Sequence, residues 1–253
     1  MPNWKYIDEV YLYDGTFFGF LTIVFNLYPK KNVPVKIVPK KDYEYNLLDK
    51  TIFVETDEEK SVRVFNGIEH NISYDTLYIV YNAFLSGKKD KEISILKYIF
   101  SAFEIGSNIN NMITIDYVMD TLKMKGNSLF EAHRLKGLVK FRFVGNNLYY
   151  APVHPDNNVI EILGRHFIRR LPTQNFIIHD KNRNISFIYN TKDSSIVDVP
   201  SNFVLPEFSD EELLYQSLWK TFFNTIAIKE RTNKKLQMQF MPKKYWEDLI
   251  EVN

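Results

Sequence analysis

The 253-residue chain contains no cysteine. That absence excludes disulfides, thiolate metal sites, a thiol nucleophile and cysteine-held iron–sulfur clusters. No long hydrophobic run is present either. The longest, Phe17 to Phe25, is interrupted by Gly19 and Thr22 and falls far short of the roughly 20 residues of a spanning helix. The first residues lack the basic-then-apolar pattern of an export signal. These features lead us to expect a cytoplasmic protein with no membrane partner. Glycine-rich phosphate motifs of the P-loop or G-x-G-x-x-G type are missing. So are HExxH, HxH and paired D-x-D spacings, and no metal or other cofactor is expected.

What is present describes a folded chain. Apolar residues make up 45% and aromatics 15%, enough for a filled core. Net charge is only +1, but it is distributed unevenly. Residues 1–122 carry 13 Lys/Arg against 17 Asp/Glu, and residues 123–253 carry 19 against 14. The basic half would suit an anionic partner, or the two halves would attract each other.

Periodicity leads us to expect an α+β fold. Residues 1–136 read as a mainly helical region with an N-terminal strand at residues 6–13. A helix follows from Phe17 to Tyr28, and Pro29, Pro34 and Pro39 mark residues 29–41 as an exposed connection. A short strand at 51–55 precedes a helix that Thr56 and Glu59 would open as a capping box. Two further helices run from Ser73 to Gly87 and from Asp90 to Ile105. A fourth spans 113–136, with a break near Gly126-Asn127. Residues 137–190 read as a small antiparallel β-β-α-β-β unit: a hairpin of 138–144 with 148–153, a helix over 155–171, and a hairpin of 175–179 with 185–189. Residues 191–208 form a loop. The remainder of 191–253 is a helical tail, with Leu214, Leu218, Phe222 and Ile226 as its core stripe and Pro242 starting a last short helix. The whole is one compact domain or two closely packed ones.

Residues 131–183 hold four of the five histidines, with nine Lys/Arg against four acids. His166 and Arg170 share one shoulder of the 155–171 helix, with Arg169 adjacent, where guanidiniums could hold a phosphate in bidentate fashion. His133, Arg134 and Lys136 sit where a helix ends, a position at which cations also offset the helix dipole. His179 lies at a strand end beside a turn. His133, His166 and His179 are candidate acid–base groups by their near-neutral pKa. Arg134, Lys136, Arg169, Arg170, Lys229 and Arg231 are candidate phosphate contacts. The last two come from the tail 219–246, where seven Lys/Arg face a single acid, Glu230.

Several motifs carry a resemblance. These are Tyr13-Asp14-Gly15-Thr16-Phe17, Glu55-Thr56-Asp57 with Glu59-Lys60, Glu131-Ala132-His133-Arg134-Leu135-Lys136-Gly137, His166-Phe167-Ile168-Arg169-Arg170 and Ile177-Ile178-His179-Asp180. In the tail come Ile226 to Arg231 and Met241 to Trp246. With these the chain resembles a bacterial family of unknown function associated with DNA metabolism. Asn157 departs from the family pattern, which has histidine there. The resemblance implies a radical-SAM partner similar to spore photoproduct lyase, and related domains fused to uracil-DNA glycosylase-like proteins. It implies no catalytic residues. The expected function is a DNA-binding accessory protein of DNA repair or modification. The alternatives are a nuclease or phosphoesterase-like enzyme using histidine, or a protein–protein scaffold.

Overall fold

The computed structural model describes residues 4–200, 202–204, 208–228, 231 and 233–252, the last by its backbone alone. The chain forms two compact units, Met1–Leu129 and Phe130–Asn253.

The first unit is built on a parallel sheet. Strand β1 (Lys5–Tyr13) lies between β2 (Asn32–Pro39) and β3 (Thr51–Phe53), parallel to both. Helix α1 (Phe17–Leu27) makes the β1–β2 crossover. Helices α2 (Glu58–Asn71), α3 (Tyr74–Phe84) and α4 (Lys91–Ile105) follow. Phe20, Leu21 and Ile23 of α1 meet Ile95, Leu96 and Ile99 of α4 in one buried cluster. Residues 29–41 are therefore not an exposed connection. Val33, Ile37 and Val38 are buried, and prolines are tolerated because β2 is an edge strand. Nor is Thr56 the cap of α2. Asp57 accepts from Lys60 N at 3.0 Å, while the Thr56 hydroxyl donates to Asp14 Oδ2 at 2.8 Å.

The boundary between the units falls inside α5 (Asp116–Leu138), which runs unbroken through Gly126-Asn127. Its buried residues recur on one side, at Ser128 just before the boundary and at Glu131, Ala132 and Leu135 in the second unit. That burial outweighs the weak helix propensity of the Gly-Asn pair.

The second unit carries a mixed sheet ordered β4-β5-β6-β7-β8: β4 (Arg142–Phe143), β5 (Leu148–Val153), β6 (Asn175–Asp180), β7 (Ile185–Tyr189) and β8 (Ser194–Asp198). The expected all-antiparallel arrangement is corrected at its centre, where β5 and β6 pair in parallel. Helix α6 (Ile160–Arg170) makes the crossover between them, a connection only parallel strands require. Strand β8 comes from residues read as loop. Helix α6 begins at Ile160 rather than at Pro155, and α5 runs on to Leu138, leaving β4 only two residues.

Alternation sorts the sheet into two faces. Val153, Phe176, Ile178 and Phe187 pack with Ile160, Leu163 and Phe167 of α6. The helix lies so close that a Cβ at Gly164 would meet Phe187 ring carbons at 2.4 Å. Tyr150 and His179 point to the opposite face. In the tail, Ser209 caps α7 (Asp210–Ile226) by accepting from Glu212 N, and α8 (Lys234–Phe240) follows. Pro242 precedes a 3-10 helix, Lys243–Asp248. The expected core stripe of α7 is exposed: Leu214 at 58%, Leu218 at 55% and Phe222 at 53%.

Candidate functional site

The last turns of α5 and α6 meet the β4–β5 edge around a cavity of about 530 Å³. Lys136, Lys140 and Arg170 supply its charge, Phe141 and Tyr149 an aromatic wall, and Gln174 an amide. Among the described residues no carboxylate lines it. Lys136 ends α5 and Arg169 and Arg170 end α6. Among the described residues none of these three is paired with an acid. Lys140 differs: its ammonium lies 3.4 Å from Glu251 and 4.8 Å above the Trp219 ring. Gln174 Oε1 is buried without a hydrogen-bond partner among the described residues.

His166 stands beside this cluster. Burial, and then the charges of Lys136, Arg170 and Arg169, hold its imidazole below the ordinary histidine value. Charges from two helices thus converge on a residue that sequence reading placed beside only those of its own helix. A surface with three cations that have no acid partner among the described residues favours polyanions.

The other candidates lie elsewhere. His133 is exposed on α5. Arg134 stacks over Phe130, 4.6 Å from the ring centroid, and donates to Gln239 O at 3.5 Å. Arg231 is exposed, and Lys229 lies outside the described residues. His179 is buried on the sheet face opposite α6, its Nδ1 2.7 Å from the Tyr150 hydroxyl. Burial, followed by the charges of Lys181 and His154, lowers its pKa. Nearby, His154 Nδ1 lies 2.9 Å from Asp248 Oδ2. No group of three or more His, Asp or Glu among the described residues is arranged to hold a metal ion.

Glu131 turns out to be the structural hub of the unit. Its carboxylate accepts from Asp156 N (3.0 Å), Asn157 N (2.7 Å), Asn157 Nδ2 (2.7 Å), Lys244 Nζ (2.7 Å) and the Tyr245 hydroxyl (2.6 Å). Burial alone would raise its pKa, but donation from Lys244, Tyr245 and the two backbone amides outweighs this and holds it at about 2. Asn157 is thus a buried donor within this hub. Sequence reading missed Glu131, although an acid on the same helical face as Ala132 and Leu135 is a usable signal. It also missed Lys140, Tyr149 and Gln174, which look like ordinary strand and loop residues until the cavity assembles.

No helix among the described residues is long and apolar enough to cross a membrane. Neither a curated protein nor a solved structure matches the chain. Residues 89–251 match the family described as Domain of unknown function (DUF4130). The span includes the Glu131–Gly137, His166–Arg170 and Ile177–Asp180 motifs, whereas Tyr13–Phe17 and Glu55–Asp57 precede it. Covering well over half of the sequence, this match makes the chain a member of the DUF4130 family.

Proposed function

We propose that this protein binds DNA as an accessory factor in DNA repair or modification. The observation that carries the reading is the cavity lined by Lys136, Lys140 and Arg170, with no carboxylate of the described residues in its lining, and with Arg169 acting on the adjacent His166. Unpaired lysine and arginine contact phosphate by releasing condensed counterions, so binding weakens as salt rises. Work in the cytoplasm with a radical-SAM protein similar to spore photoproduct lyase, or with a glycosylase-type protein, is supported by the motif resemblance. The test is a salt titration of binding to a labelled duplex. A log–log slope of several units is expected, and RNA of the same sequence should bind more weakly. Salt-independent binding would contradict the reading.

One observation favours a second reading, a phosphoesterase-like enzyme. His154 and Asp248, 2.9 Å apart, sit near the Tyr150–His179 pair on the other sheet face, an arrangement able to move protons. Turnover of oligonucleotides that disappears in His154→Ala would support it. His133 and His166 have no carboxylate partner of this kind among the described residues.

A further inference from the structure

Phosphate binding alone leaves part of the cavity without a purpose. A volume of about 530 Å³ lies within the range of roughly 300–1,000 Å³ typical of small-ligand sites. Phosphate contacts on a duplex backbone need only surface cations. Here, however, Phe141 and Tyr149 form one wall. Phe141 is fixed edge-on against Phe167, with centroids 4.9 Å apart, and Tyr149 rests tilted on Phe143 at 5.5 Å. At the margin the Gln174 oxygen is buried and accepts nothing among the described residues. An aromatic wall, an acceptor lacking its donor and unpaired cations together match the parts of a nucleotide: a flat base, its exocyclic amino group and its phosphate.

We infer that the cavity receives one unpaired nucleotide of a DNA strand. The base lies along Phe141 and Tyr149 with an amino group toward Gln174 Oε1, and Lys136 and Arg170 hold the flanking phosphates. The inference rests on the DNA-binding reading above and adds that unpaired nucleotides are preferred. A paired base presents neither its face nor its Watson–Crick edge, and entering the cavity would cost the unstacking of its step.

Fluorescence anisotropy with the full chain tests this using three DNAs of matched sequence: an intact duplex, a duplex with one extra unpaired nucleotide, and a single strand. Deoxynucleoside monophosphate serves as competitor. The unpaired nucleotide should tighten binding by about tenfold over the intact duplex. Gln174→Ala and Tyr149→Leu, each checked for folding by circular dichroism, should reduce that preference to below about threefold, and an unchanged preference in both folded variants would overturn the inference. Equal binding to all three DNAs with a normal salt slope would overturn the nucleotide inference and leave DNA binding standing. Salt-dependent binding to none of them would overturn both. Tight binding of the monophosphate without binding of any oligonucleotide would overturn the DNA source of the ligand.

Discussion

Lys136 and Arg170 reach the same cavity from the last turns of two different helices, α5 and α6. Each has a local reason to be where it is, since a cation at a helix C-terminus offsets the dipole. That local reason does not explain why both helices end at one place, or why no acid of the described residues faces them there. Convergence of the two ends concentrates positive charge on a concave, partly aromatic surface.

The imidazole of His166 reports on this charge. In the free protein it should titrate below the ordinary value of about 6.5, because burial and the surrounding cations disfavour its protonated form. A bound phosphate brings negative charge and favours protonation, so the midpoint should move upward on adding oligonucleotide. Histidine NMR titration measures both. A midpoint that does not respond to saturating DNA would place the DNA elsewhere.

Glu251 quenches Lys140 across 3.4 Å. Replacing it in Glu251→Gln frees one more cation at the cavity. DNA affinity should rise several-fold and the salt slope should steepen by about one unit. A loss of affinity would mean that the Lys140–Glu251 pair positions the site rather than restraining it.

Glu131 should make the second unit sensitive to acid. Its folded pKa of about 2 lies below its ordinary 4.5. The stabilisation is therefore complete above about pH 4.5 and is lost as pH falls toward 2. The difference corresponds to about 3 kcal/mol. Glu131→Gln should cost a similar amount at neutral pH and flatten the pH dependence in that window, as read by urea unfolding. An unchanged acid profile in the variant would remove Glu131 from the account.

Much of this was legible in the chain itself, and the remainder failed for identifiable reasons. The stripe of α6 and the shoulder bearing His166 and Arg170 follow from a 3.6-residue period, which is local. Strand direction is not local: nothing in the composition of β5 and β6 distinguishes parallel from antiparallel pairing, and only the crossover through α6 decides it. Strand β2 was hidden by prolines that an edge position tolerates. The Glu131 hub draws its donors from residues 156–157 and 244–245, a set no window around position 131 contains. The spacing of Leu214, Leu218 and Phe222 correctly indicated a helix, but periodicity does not say what will cover an apolar face.

Gly164 tests the packing that places α6. An alanine would gain about 1 kcal/mol of helix propensity, yet its Cβ would meet the buried Phe187 ring at 2.4 Å. Overpacking of this kind costs about 1–3 kcal/mol, and a ring only 3% exposed has little room to yield. Gly164→Ala should therefore destabilise the protein by up to about 2 kcal/mol net in chemical denaturation. A stabilised variant would show that helix and sheet are further apart than described.

The central claim is that Lys136 and Arg170 bind DNA phosphate together, and the salt dependence of duplex binding measures it most directly. In the double variant Lys136→Ala/Arg170→Ala the log–log slope should fall by about two units, with affinity at least tenfold weaker at low salt. A double variant that folds normally and keeps both the slope and the affinity of the natural protein would contradict the claim.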